Sequence, residues 1–313
     1  MKGSSLAVAL CAALLCACAE KEKIDITAPV KGEAGTNAEK GYKRGIQEMK
    51  DANYIEATRY LEWVRNNFPY SQYASLSELA LADMAFDRDD YATAAGSYSD
   101  FVKGHPSHPK ADYAAYRVGL SWFNERPGEW FFLPPGYEKD QTPVRQALDT
   151  LQKFTLQFPK SEMLEQAQQL MDQCRQRLAA HERYVAEFYR KREVWKAAAG
   201  RYLVLADQFG DLDQGKVRDE GLWGASEAFA KLDAPEDEAQ VLTRFVEGTT
   251  DSKRKGEAQE RLKLLASRPK KVEKAEAPAD AKPADTKPVE PKADVKSEKP
   301  ADEKPAAPAE QPK

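Results

Sequence analysis

From residue 39 to about residue 267 the apolar positions recur at three- and four-residue spacing, the pattern of helices that each bury one face. Turn-forming breaks divide it into segments near 39–51, 54–67, 72–87, 91–103, 112–123, 144–157 and 162–191. A segment from Trp195 follows, then 216–232, 235–247 and 252–265. The segments pair, and the pairs repeat. Tyr54, Ala57, Leu61, Val64 and Phe68-Pro69 return as Tyr91, Ala94, Tyr98, Phe101 and His105-Pro106, about 37 residues later. A small residue sits where two helices must cross closely, and bulky residues three and four positions on fill the crossing. Proline, which lacks an N–H, ends the second helix. Gly45 and Ala82 supply the matching small position on the first helix of each pair.

These spacings resemble the tetratricopeptide motif. They predict an all-α chain, a tetratricopeptide-like solenoid of about five helical hairpins. Ala147, Leu151, Phe154 and Phe158-Pro159 continue the register in the third pair, and Ala198, Tyr202, Leu205 and Phe209 in the fourth. Ala239, Leu242 and Val246 continue it in the fifth. In 252–265, Leu262 and Leu265 face the neighbouring helix and charge faces outward, as a terminal cap requires. The third pair is interrupted by 124–143, rich in Pro, Gly and aromatic residues, which cannot continue a helix.

Composition separates this part from what flanks it. The 313 residues are 31% charged and 42% apolar with a net charge of −4, but the ends depart from that average. Lys2 gives a positive start, Leu6 to Leu15 an apolar run too short for a permanent membrane span, and Leu15-Cys16-Ala17-Cys18 a cleavage site of small residues. That last stretch resembles a bacterial lipobox, which implies a signal peptide over 1–17 and acylation of Cys18. Ala19 then stands where an inner-membrane retention signal would place aspartate. Residues 18–38 are expected to form a lipidated, flexible tether, and 39–268 the solenoid. Residues 269–313 hold nine prolines, no aromatic residue, and ten Lys against ten Asp plus Glu. Such a stretch cannot bury enough apolar surface to offset its ordering entropy, so a disordered tail is expected. Its balanced charge argues against a nucleic-acid partner, which needs a basic block.

Groups that could carry covalent chemistry are sparse. His105, His108 and His181 are the only histidines, and Cys174 is the only cysteine left after the signal and lipobox; its helical neighbours predict a buried, inert thiol. There is no Gly-rich phosphate loop, metalloprotease helix or serine nucleophile elbow. No enzyme activity, metal or cofactor is expected. The remaining chemistry is a surface. In this repeat geometry the first helix of each pair lines the concave face, which places Tyr42, Ile46, Met49, Leu79, Asp83, Phe86, Tyr116, Leu120 and Phe123 in a groove suited to an extended peptide with apolar or aromatic side chains. In the insertion, Trp130, Phe131, Phe132 and Tyr137 are costly to leave in water, so they either cover the groove or meet a partner.

Taken together, the lipobox, the tether, the hairpins closed by Phe-Pro or a near variant, and Phe131-Phe132 in the insertion resemble the BamD, or ComL, family of outer-membrane assembly lipoproteins. The most specific stretch is Arg177-Leu178-Ala179-Ala180-His181-Glu182, then Val185 to Arg192, then Trp195 and Ala198. The resemblance implies a lipid-anchored scaffold at the outer membrane, facing the periplasm. Its amino-terminal repeats would receive unfolded outer-membrane protein precursors, whose carboxy-terminal signal commonly ends in an aromatic residue. Its carboxy-terminal repeats, through Glu187, Arg190, Lys191, Arg192 and Glu193, would dock the POTRA domains of a BamA-like barrel protein, alongside other assembly lipoproteins. A periplasmic scaffold coordinating peptidoglycan synthesis or cell division is the alternative. The tail is a departure from the family pattern.

Overall fold

The computed structural model describes residues 34–128, 132 and 134–268. Cys18, Trp130, Phe131 and the segment 269–313 lie outside the described residues. The described chain is built of α-helices: α1 Ala34–Lys50, α2 Tyr54–Asn67, α3 Gln72–Asp87, α4 Tyr91–Gly104, α5 Ala111–Asn124, α6 Thr142–Gln157, α7 Leu164–Lys191, α8 Trp195–Phe209, α9 Lys216–Lys231, α10 Pro235–Gly248 and α11 Ser252–Ser267. Successive helices pair into five antiparallel hairpins closed by α11, a tetratricopeptide-like solenoid. Helix α1 starts at Ala34, ahead of the expected residue 39. Ala38 explains the difference: it is fully buried with Val64 and Phe68, so the chain gains packing by becoming helical early.

The turns inside four of the five hairpins share one solution, the third being interrupted by the insertion. Ala52, Asp89, Glu193 and Asp233 take left-handed φ values of 58°, 61°, 59° and 52°. The following residue then donates its N–H to a carbonyl five positions back: Asn53 to Glu48 at 2.8 Å, Asp90 to Ala85 at 3.0 Å, Val194 to Tyr189 at 3.0 Å and Ala234 to Phe229 at 3.1 Å. This is the Schellman closure, which satisfies carbonyls that the helix end would otherwise leave unpaired. The second helices end differently. Phe68, His105 and Phe158 leave the helix with φ near −131°, −131° and −124°. Each still donates its N–H one turn back, and the proline that follows can donate nothing further.

Small residues set how closely the paired helices approach. Gly45, Ala82 and Gly119 recur in register on α1, α3 and α5, opposite Ala57, Ala94 and Ala147, which are each fully buried. A Cβ on Gly119 would lie 2.6 Å from the Leu151 side chain. At Gly221 on α9 the obstacle is backbone: a Cβ there would lie 2.6 Å from the Tyr202 carbonyl oxygen and 2.8 Å from the Ala206 nitrogen. The fifth hairpin departs from the expected register. Glu238, not Ala239, takes the buried small-residue position, followed by Leu242 and Phe245 in place of Val246. A carboxylate is tolerated there because Arg261 of α11 reaches it at 2.5 and 3.2 Å.

The Gly221 contact gives a direct test. Because neither Tyr202 nor Ala206 can move its backbone aside, Gly221→Ala should force α8 and α9 apart and cost about 1–3 kcal/mol in urea unfolding. An unchanged midpoint would refute the close approach.

Candidate functional site

The residues expected in the groove divide into three groups. Tyr42, Ile46, Met49, Asp83 and Phe86 are half-buried and line the first helices of hairpins one and two. Tyr42 lies against Tyr73 with ring centroids 5.7 Å apart. Leu79 and Phe123, expected on the groove surface, are 4% and 7% exposed and belong to the packing between repeats. Helical geometry explains this: both project from α3 and α5 toward the adjacent hairpin rather than along the concave side. Tyr116 and Leu120 are half-buried against the larger core, with the Tyr116 ring 5.9 Å from that of Phe154.

Asp83 is the polar centre of the groove. Its Oδ1 accepts hydrogen bonds from the Tyr98 hydroxyl at 2.5 Å and the Tyr113 hydroxyl at 2.8 Å. Arg117 of α5 donates Nε–H to the Tyr98 oxygen at 3.0 Å, and its guanidinium carbon lies 3.7 Å from the Phe86 ring centroid. Residue periodicity placed Asp83 and Phe86 in the groove and Tyr98 in the repeat core, but did not single out Arg117 or Tyr113. One signal was available: Tyr98 stands at the fully buried position that Leu61 fills one repeat earlier, and a buried hydroxyl requires a partner. Burial pushes the Tyr113 hydroxyl up to about 12, and the Asp83 carboxylate adds to the shift. Burial, then the same carboxylate, raises Tyr98 further still.

The residues expected to dock a partner, Glu187 and Arg190 to Glu193, gather at the turn between α7 and α8. Glu187 is engaged internally: it accepts from the Tyr202 hydroxyl and pairs with Arg190 at 2.6 Å. Burial acts to raise its carboxyl, but Tyr202 and Arg190 outweigh that and hold it below the usual range. Lys191, Arg192 and Glu193 are exposed, with the Arg192 guanidinium 3.5 Å from the Phe188 ring centroid. Val194, next in the turn, is 45% exposed.

The described parts of the insertion are footed on α7. Arg177 donates to the Pro127 carbonyl at 2.7 Å and to Gln141 at 3.2 Å. His181 Nδ1–H donates to the Tyr137 carbonyl at 2.7 Å, and the Tyr137 ring lies 6.1 Å from that of Tyr184. Phe132 is 86% exposed. A cleft of about 510 Å³ opens beside the first foot, lined in part by Tyr91, Phe123, Arg126, Gln173 and Arg177.

Covalent chemistry has little to work with among the described residues. Cys174 is buried, and burial pushes its thiol up to about 11, so it is protonated and inert at neutral pH. His105 Nε2 contacts Glu78 at 2.8 Å, while His108 Nδ1 accepts the Lys110 N–H at 3.1 Å. Among the described residues no three His, Cys, Asp or Glu side chains are placed to hold a metal ion, and no helix is long and apolar enough to cross a membrane.

The tyrosine network predicts a pH dependence. The Tyr113 proton is held more tightly in the folded chain than in the unfolded one, where the ordinary value is about 10. Its contribution is therefore complete below pH 10 and lost as pH rises towards 12. The melting-temperature gap between the native chain and Tyr113→Phe should be widest near pH 8 and shrink between pH 10 and 12. A gap independent of pH would contradict this.

Comparison with known proteins adds to this geometry. The model of the family described as YfiO, outer membrane lipoprotein, matches residues 35–242, from the start of α1 to the middle of α10. The outer membrane protein assembly factor BamD of Haemophilus influenzae is 29% identical over 235 residues, covering 74% of this chain and 85% of the relative. That of Neisseria meningitidis serogroup B is 30% identical over 237 residues, covering 75% and 86%. The BamD of Caulobacter vibrioides is 26% identical over 204 residues, covering 65% and 63%. Since the matched residues include the half-exposed groove and the α7–α8 turn alike, the chain belongs to the YfiO, or BamD, family of outer membrane lipoproteins.

Proposed function

We propose that this chain works in outer membrane protein assembly as a scaffold without covalent chemistry. A lipid on Cys18 holds it at the outer membrane, facing the periplasm. Its amino-terminal groove receives unfolded barrel precursors, and its α7–α8 turn docks the POTRA domains of the central barrel protein. The observation that carries this reading is the coincidence of two accessible surfaces within the family-matched region. Tyr42, Ile46, Met49 and Phe86 leave apolar area half-exposed at one end, and Lys191, Arg192 and Glu193 present charge at the other. Half-exposed aromatic and aliphatic side chains in a rigid concave wall suit an extended chain with apolar side chains, since area already fixed in place costs little entropy to cover.

The groove test uses a peptide from a barrel carboxy terminus. Tyr42→Ala and Ile46→Ala should each weaken its binding about three- to tenfold in fluorescence anisotropy, because only part of each side chain remains to be covered. Phe86 is a poorer probe, since its ring also holds Arg117. Binding no better than that of a scrambled peptide would end the receptor reading. For the docking turn, Lys191→Glu combined with Arg192→Glu should reduce recovery of the barrel protein in pull-downs without lowering the melting temperature. Arg190 is left intact because it compensates Glu187. Full recovery with both charges reversed would place the contact elsewhere.

A further inference from the structure

We propose that His108 is a proton-operated latch in the joint between the second and third hairpins, closed while its imidazole is neutral and released when the ring takes a proton. The latch needs no ligand and stands apart from the reading of the groove. The joints that follow Phe68-Pro69, His105-Pro106 and Phe158-Pro159 are built alike. Ser71, His108 and Ser161 each donate a backbone N–H to the carbonyl three residues back, at 2.9, 3.0 and 3.1 Å. Their side chains then accept the N–H two residues on: Ser71 Oγ from Tyr73 at 3.2 Å, His108 Nδ1 from Lys110 at 3.1 Å, and Ser161 Oγ from Met163 at 3.3 Å. That second bond ties the loop to the start of the next helix. A serine hydroxyl accepts it at any ordinary pH, whereas an imidazole accepts only through a nitrogen that carries no proton, and protonated histidine is a donor at both nitrogens. Of these three joints, the middle one is therefore fastened by a group that titrates.

The surroundings of His108 oppose a charge on it. Its ring stands edge-on to Phe101 of α4, with centroids 5.2 Å apart, and 6.4 Å from the His105 ring. The Glu78 carboxylate of α3 is engaged by His105 Nε2 at 2.8 Å, so it answers a charge on His105 before one on His108. Burial, then the charges of His105 and Lys110, hold the His108 imidazole below the ordinary histidine range. In the unfolded chain the ring takes its proton at about pH 6.5. The contribution of the latch is accordingly complete above that pH and is lost as pH falls below it towards the folded value. Lys110 leads into α5, which carries Tyr113 to Asp83, so release of the latch frees the entry of the helix that supports the tyrosine network.

The experiment is amide hydrogen exchange read by mass spectrometry on the whole chain, at about pH 7.5 and about pH 5.5, either side of the ordinary histidine value, with intrinsic rates divided out. On acidification, peptides covering 105–116 should lose protection about three- to tenfold, the weight of one hydrogen bond, while those covering the Ser71 and Ser161 joints keep theirs. His108→Ser, which installs the fastening of the other two joints, should remove the change. His105→Gln, whose amide can still donate to Glu78, should leave it in place. Unchanged protection over 105–116 in the native chain overturns the proposal, as does a loss shared equally by all hairpins, which is general acid destabilisation. A local loss that survives in His108→Ser, or that vanishes in His105→Gln, belongs to another group and also overturns it. Should His108→Ser fail to fold, the native profile and His105→Gln decide between them.

Discussion

Everything in this molecule depends on how closely two helices can approach within a hairpin and between hairpins. Where Gly119 faces Leu151 and Gly221 faces the Tyr202 carbonyl, there is no room for a methyl group. That steric limit fixes the helix spacing, the spacing fixes the angle between successive hairpins, and the angle determines which side chains are left on the concave side. Leu79 and Phe123 are consumed in meeting it; Tyr42, Ile46 and Phe86 are what it leaves over. The half-exposed concave surface is thus a by-product of packing, set by buried residues.

The same limit explains why the architecture was legible in the residues. A position that accepts only glycine or alanine recurs as Gly45, Ala82 and Gly119, and the Phe-Pro and His-Pro closures mark the ends, so periodicity and punctuation agree. The helix boundaries followed to within a few residues, except where long-range packing intervened. Ala38 drew α1 forward because Val64 and Phe68 were waiting for it, and nothing local announces that. Glu238 concealed the register of the fifth hairpin, because a carboxylate is an improbable occupant of an alanine site until Arg261, well along the chain, is known to meet it. The groove was half-legible for a similar reason. Helical spacing tells which residues share a face, but whether a neighbour covers them depends on crossing geometry, and the Arg117 network joins α3, α4 and α5 across distances that no local window spans.

Charge is distributed unevenly along the solenoid. Towards the carboxy-terminal half, hairpins are joined by ion pairs between successive elements: Arg145 and Arg201 both reach the buried Glu182, Arg183 chelates Glu220 through two nitrogens, and Arg261 closes on Glu238. At the amino-terminal end the first two hairpins meet through the Tyr42 and Tyr73 rings, and the second and third through the Asp83, Tyr98, Tyr113 and Arg117 network. Ion pairs of fixed geometry resist sliding, whereas stacked rings tolerate small shifts with little loss of contact area.

Helix α7 is 28 residues long, a rod of about 42 Å at the rise of an α-helix. The insertion stands on it at Arg177, His181 and Tyr184, which share one face, and the exposed charges of the α7–α8 turn stand at its far end. A continuous helix resists bending, so a load on the insertion reaches that turn as tilt or roll of a single lever. Two surfaces distant along the chain are in mechanical terms two points on one axle, and whatever holds one of them constrains the orientation of the other.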